Sequence, residues 1–441
     1  MRRIKILFAA LCLCALLGGC AFSASAEELY RLPQLPDEYA SLETLINALQ
    51  ADGAEHIAPQ SGSNLQSVQL FDLDNDGAEE AIAFFRKAGD EKPLKIYIFK
   101  AIEERYEQTA VIEGTASSIW SVAYSDLDGD GMRELLIGYR TLSEVQMLAV
   151  YALRGGQPQL LLSSSYLRYA ARDLDGDGAQ ELLLLRSGEE GLCSAELFHW
   201  DGTAFAAGGA LGLSMGVSEL QRVSGGILSG GESALFITGV TEGGMTMTDV
   251  LTLREGALCA VTRSEETGRS GAVSRFLELY PSDANDDGVT EIPLAVEYPA
   301  PGEGQEGLCA VEWRQYAADG SSSTAWRSVH ERSDGWTLCI PDEWDGRIGV
   351  ERAQSLTERR VIFSAWQDEQ TVPFLTISVL TGESREYAAV RGTRFVLARQ
   401  VDAVYAAELT DAELAASLGV SEQSLREGFS LIALEWAAGE N

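Results

Sequence analysis

The sequence predicts a mainly β chain: a β-propeller of five visible blade-like repeats or more, followed by a small α+β domain. Three observations carry this reading. One acidic motif recurs at a steady interval, each copy has the same strand-like flanks, and both signals stop near Ser333. Repeats of roughly fifty residues with several short strands each mark propeller blades.

The motif occurs four times. The copies read Asp72-Leu-Asp74-Asn-Asp76-Gly77-Ala78-Glu-Glu80, Asp126-Leu-Asp128-Gly-Asp130-Gly131-Met132-Arg-Glu134, Asp173-Leu-Asp175-Gly-Asp177-Gly178-Ala179-Gln-Glu181 and Asp283-Ala-Asn285-Asp-Asp287-Gly288-Val289-Thr-Glu291. Their first aspartates are 54, 47 and 110 residues apart. The double-length gap predicts a degenerate copy near residue 228, where residues 223–237 keep the apolar flanks but lose most of the acids.

The flanks repeat as well. Alternating segments such as Ile119-Trp-Ser-Val-Ala-Tyr124 precede each loop, and continuous apolar runs such as Leu135-Leu-Ile-Gly-Tyr139 follow it. Both are strand signals. A further strand pattern with aromatics comes next, as in Leu94-Lys-Ile-Tyr-Ile-Phe99 and Leu197-Phe-His-Trp200.

From residue 334 to 441 the period is gone. Trp336 to Ile340, Val361 to Trp366, Phe374 to Leu380 and Arg394 to Leu397 read as strands, while Thr410-Asp-Ala-Glu413 and Ser421 open short helices. These elements form an α+β domain or add one or two blades. Residues 21–62 read as a leader with one amphipathic helix over 38–49, and residues 63–333 as the propeller.

The chain has 67 acidic against 33 basic residues and a formal charge of -34. Such a field disfavours nucleic acid and anionic lipid and suits divalent cations where carboxylates cluster. Residues 1–20 read as a targeting segment: Arg2, Arg3 and Lys5, an apolar stretch to Leu17, then a lipobox-like Leu17-Gly18-Gly19-Cys20. Lipid on Cys20 would tether the protein to the outer face of the cytoplasmic membrane. Ala24-Ser25-Ala26 offers a competing cleavage at Ala26 that would release a secreted protein. Cys193, Cys259, Cys309 and Cys339 lack diagnostic spacing and read as small apolar side chains rather than disulfide partners.

Carboxylates at positions 1, 3 and 5 of a tight loop, with glycine at 6, can converge on one hard cation. An EF-hand closes with glutamate at position 12, where these loops have Ala83, Ile137, Leu184 and Leu294; the acid is instead at position 9. The pattern between strands resembles the Ca²⁺ loops of FG-GAP and VCBS repeats, the integrin-α-like propeller family, over residues 65–330. That resemblance implies up to four structural Ca²⁺ sites. Their ligands would be Asp72, Asp74, Asp76, the Ala78 carbonyl and Glu80; Asp126, Asp128, Asp130, the Met132 carbonyl and Glu134; Asp173, Asp175, Asp177, the Ala179 carbonyl and Glu181; and Asp283, Asn285, Asp287, the Val289 carbonyl and Glu291. Glutamate closes every loop where the family commonly has aspartate. The arrangement is also similar to FG-GAP-type lipoproteins of Gram-positive gut bacteria, a likeness that names no activity.

No catalytic residue is assigned. Gly212-Leu-Ser214-Met-Gly216 matches a nucleophile elbow, which needs a strand before it, a helix after it and a histidine partner; only His56, His199 and His330 exist. The tryptophans at 313, 326, 336, 344 and 366 read as core, with a sugar-stacking platform as the alternative. The expected function is recognition of an extracellular protein or glycan by a calcium-stapled surface module. The alternatives are a polysaccharide-acting enzyme and a purely structural envelope component.

Overall fold

The computed structural model describes residues 39–432 except 104, 142–144, 299–307, 345 and 368–369. The Cys20 lipobox and the Ala26 cleavage site lie outside these residues. The fold is mainly β: six antiparallel sheets of four or five strands follow one another along the chain.

In the first four repeats the apolar run is an inner strand of its sheet, and its alternate residues serve two different cores, whereas Ile292–Tyr298 of the fifth is an edge strand. In Glu80–Lys87 of the first sheet, Ile82 and Phe84 face the second sheet, while Ala81, Ala83 and Phe85 face helix α1 (Ala40–Ala51). In the second sheet, Leu135 and Ile137 of Glu134–Arg140 pack toward the first, and Leu136 packs toward the third. The third sheet sends Leu182 and Leu184 back, and Leu183 and Leu185 forward to Leu235 and Ile237 of the fourth. Ala234 and Phe236 then meet Ile292 of the fifth. This two-sided burial explains why the strands read as unbroken apolar runs rather than alternations.

The fourth sheet holds the degenerate repeat. Leu220–Ile227 pairs with Ser233–Val240 through a tight turn where the other repeats carry the acidic loop. The chain after residue 333 differs from a separate α+β domain. Ser322–Glu331 pairs with Trp336–Ile340 inside the fifth sheet, so the division expected at 333/334 falls within a hairpin. Ala310 and Val329 share one core with Trp336, Phe363 and Phe374. Residues 348–409 build a sixth sheet, and Phe429–Leu431 returns to pair with Trp336–Ile340. Helices α2 (Arg385–Ala389), α3 (Ala412–Ser417) and α4 (Glu422–Gly428) decorate these two sheets.

Helix α1 covers the outer face of the first sheet, and α2 packs with Leu380, Val404 and Ala406 of the sixth. Among the described residues, no hydrophobic cluster joins the first sheet to the sixth. Nor is any described helix long and apolar enough to cross a membrane.

Candidate metal centres

The first three acidic loops connect Val68–Phe71, Ser118–Ser125 and Arg168–Arg172 to the strand that follows, the fourth leads into Ile292–Tyr298, the first strand of its sheet, and all four share one backbone design. The N–H of position 6 donates to the position-1 aspartate: Gly77 to Asp72 at 3.0 Å, Gly131 to Asp126 at 3.0 Å, Gly178 to Asp173 at 3.1 Å and Gly288 to Asp283 at 2.8 Å. These glycines have φ of 87°, 85°, 97° and 86°, a region where a side chain would be strained. Position 4 is left-handed too, and is filled by Asn75, Gly129, Gly176 and Asp286, the residue types that tolerate it.

The closing glutamate turns inward. Glu80, Glu134, Glu181 and Glu291 are all nearly fully buried. Each accepts the N–H two residues into its own loop: Leu73 at 2.8 Å, Leu127 at 2.8 Å, Leu174 at 2.8 Å and Ala284 at 2.9 Å. Carboxylate oxygens of Asp72, Asp74 and Glu80 thereby lie within 4.8 Å of one another, as do those of Asp126, Asp128 and Glu134, of Asp173, Asp175 and Glu181, and of Asp283, Asp287 and Glu291. The aspartates at position 5 of the first three loops stand outside these triads. Asp76, Asp130 and Asp177 accept instead from the N–H of Ala78, Met132 and Ala179 at 2.8–2.9 Å. Asp287 does the same for Val289 at 2.8 Å, and Asn285 donates to Asp287 at 3.0 Å.

These all-oxygen donor sets suit a hard divalent cation. Two further observations fit one. Asp72 Oδ1 and Asp74 Oδ1 are buried without a hydrogen-bond partner. Burial, followed by the repulsion of the neighbouring aspartates, raises Glu134 and Glu181 to about 7. A bound cation relieves both the burial and the mutual repulsion of such carboxylates.

This sets the sign of a pH effect. With folded values of about 7 against an ordinary 4.5, the native state binds protons that the unfolded chain has released. Stability of the metal-free protein therefore falls as pH rises through that window. We expect a chelated sample to melt higher at pH 5.5 than at pH 8, and a calcium-loaded one to lose that preference, because ligation needs ionised carboxylates. Melting curves at the two pH values check this.

Residues outside the motif make the loops unequal. Ala81 pairs with Phe99, Leu135 with Tyr151, Leu182 with Phe198 and Ile292 with Arg314, so the next residue on each partner strand lies across from the closing glutamate. These are Lys100, Ala152, His199 and Gln315. The Lys100 ammonium bonds Asp74, lies 2.7 Å from Asp76 and 3.4 Å from Glu80, and those contacts push its pKa up despite burial. Gln315 donates to Asp287 at 2.9 Å and Glu291 at 2.8 Å. Among the described residues, the second loop receives Arg154, 2.8 Å from Asp128. Among the described residues, no basic side chain forms an ion pair with the third loop's acids. The motif alone does not reveal Lys100; the hairpin register does.

The other sequence signals resolve as structure. Ser214 is buried within strand Phe205–Gly216, donates to Asp249 at 2.7 Å and accepts from the Ser270 N–H at 2.6 Å, so it is no exposed elbow nucleophile. Trp313, Trp336 and Trp344 are fully buried. Trp313 stacks on Trp326 with ring centroids 5.2 Å apart, and among the described tryptophans Trp366 is the exposed one. Cys193 is buried, Cys259 half-buried and Cys339 exposed, and all three are free thiols.

A cavity of about 410 Å³ opens between the first two loops, lined by Asn75, Asp126, Gly131 and Arg133. It shares Tyr124, Ser125 and Gln180 with a groove of about 670 Å³ that runs across the first strands of the second, third and fourth sheets.

No family model matches the chain, and no curated protein does. Solved structures align weakly with it. Rhamnogalacturonan lyase YesW is 12% identical over 84% of this chain and 96% of its own, with a TM-score of 0.28. The Bacillus licheniformis rhamnogalacturonan lyase PL11 is 12% identical over 80% and 91%, at 0.31. The periplasmic gluconolactonase PpgL of Pseudomonas aeruginosa is 13% identical over 73% and 94%, at 0.28. Likeness at this level assigns neither family nor activity.

Proposed function

We propose that this chain is an exported recognition module: a propeller-like stack of six blades, stapled by Ca²⁺ in its acidic loops and tethered to the membrane by lipid on Cys20. It would bind an extracellular glycan or protein. The observation that carries the reading is the fourfold convergence of two aspartates on a buried glutamate. Like charges so placed repel when empty, and a cation bound only by the native loop adds its binding free energy to folding. The Ala78, Met132, Ala179 and Val289 carbonyls would complete the ligand sets.

Binding is favoured over turnover. A polysaccharide-acting enzyme needs a proton acceptor facing its substrate, with a pKa near the working pH. The titratable lining of the large groove consists of arginine and tyrosine; burial pushes Tyr166 up to about 12 and Tyr169 upward as well.

The unequal loops give the test. The third loop should fill first, then the second, while Lys100 competes for the first. Calcium titration by equilibrium dialysis is expected to show at least two ions per chain. Lys100→Met should raise the number by one. A chain that takes up no calcium contradicts the proposal, and an unchanged count in Lys100→Met contradicts the role given to Lys100.

A further inference from the structure

The large groove has a charge opposite to that of the chain carrying it. Acids outnumber bases 67 to 33 in the sequence, yet the groove is lined by Arg168, Arg172 and Arg222 and by no carboxylate among the described residues. Trp120, Tyr124, Tyr166 and Tyr169 also line it, with serines and glutamines between them.

Arg172 is half-buried and fixed in place. Its Nε donates to Ser233 Oγ at 2.6 Å and its Nη2 to the Gly226 carbonyl at 3.0 Å. Neither Arg168 nor Arg172 forms an ion pair with a described residue. A half-buried guanidinium hydrogen-bonded by neutral groups has paid part of its desolvation cost, and although the neighbouring Asp173 carboxylate favours its charge, it keeps attraction for an anion. Concave walls of one sign focus that attraction even on a negative molecule. The aromatic side chains are also anchored: Arg140 lies 3.7 Å over the Trp120 ring, and Tyr124 donates to Gln69 at 2.6 Å.

We propose that this groove binds an acidic oligosaccharide, its carboxylate or sulfate groups held by Arg168, Arg172 and Arg222 and its sugar faces flanked by the aromatic rings. Arginine forks suit planar carboxylate and sulfate oxygens. The hydroxyl and amide side chains between the arginines suit a ligand rich in hydroxyls as well as in charge. The inference rests on the recognition reading above and gives it a ligand class.

The test is calorimetric titration of the purified full chain in saturating calcium with hexagalacturonate, a chondroitin sulfate hexasaccharide and maltohexaose. One or both acidic probes should bind, weakening as salt rises, and maltohexaose should not. Arg168→Ala/Arg222→Ala should bind the acidic probe at least tenfold more weakly while keeping the calcium-dependent melting shift, which reports that it is folded. The two acidic probes decide between carboxylate and sulfate. Equal binding of maltohexaose, unaltered binding by the variant, or no binding of either acidic probe overturns the proposal. If the acidic probes fail while calcium still raises the melting temperature, the groove assignment alone falls. If calcium has no effect, the stapling proposal falls, and titration without calcium still judges the groove.

Discussion

Trp344→Ala is expected to destabilise the protein by about 3–5 kcal/mol, the range for removing a large aromatic side chain from a packed core. The Trp344 indole is fully buried, its ring 5.3 Å from both Phe363 and Phe374, and its Nε1–H donates to the Leu418 carbonyl at 3.1 Å. It thus ties the turn between the fifth and sixth sheets to the end of helix α3. Because Ala310 and Val329 share this core with Trp336 and Phe363, the loss should be felt in the fifth sheet as well as the sixth. Urea unfolding followed by tryptophan fluorescence and far-ultraviolet dichroism should shift as one transition. A split curve with an unshifted first part would mean that residues beyond 333 fold on their own.

The second large effect is a reversal. Glu134→Gln/Glu181→Gln removes two buried carboxyls whose pKa burial and the neighbouring aspartates raise to about 7, while an amide oxygen can still accept the Leu127 and Leu174 N–H groups. At pH 8 in chelator, the variant should melt higher than the parent, by on the order of 2 kcal/mol per site. In millimolar calcium it should melt lower, because both loops have lost the buried ligand. Differential scanning calorimetry of both proteins in both buffers reads the crossover. A variant less stable in chelator would show that the glutamates serve the metal-free fold.

Much of this was legible in the residues. The acidic spacing located all four loops because positions 4 and 6 demand left-handed backbone, which restricts them to Asn, Gly or Asp. The apolar runs marked the inner strands because each is buried on both faces. The missing acids near 228 marked the fourth sheet, whose hairpin needs only a turn.

Three features were hidden for physical reasons. The break at 333 misled because Ser333-Asp-Gly-Trp336 reads as a boundary, whereas it is a hairpin turn between strands of one sheet. Lys100 is ordinary in sequence and gains its place among Asp74, Asp76 and Glu80 only through strand register. The basic groove was invisible because Arg168, Arg172 and Arg222 lie on strands of two sheets and meet only when those strands pack side by side.

The most direct test of calcium stapling is thermal unfolding in millimolar Ca²⁺ and in chelator at pH 7.5. At ten times its dissociation constant, each ion bound only by the native state adds about 1.4 kcal/mol. Two or three filled loops should therefore raise the midpoint by several degrees, with magnesium much less effective because it demands a smaller octahedral cage. A midpoint unmoved by calcium would mean that Asp126, Asp173 and their neighbours form ordinary acidic turns, and the stapling account would be wrong.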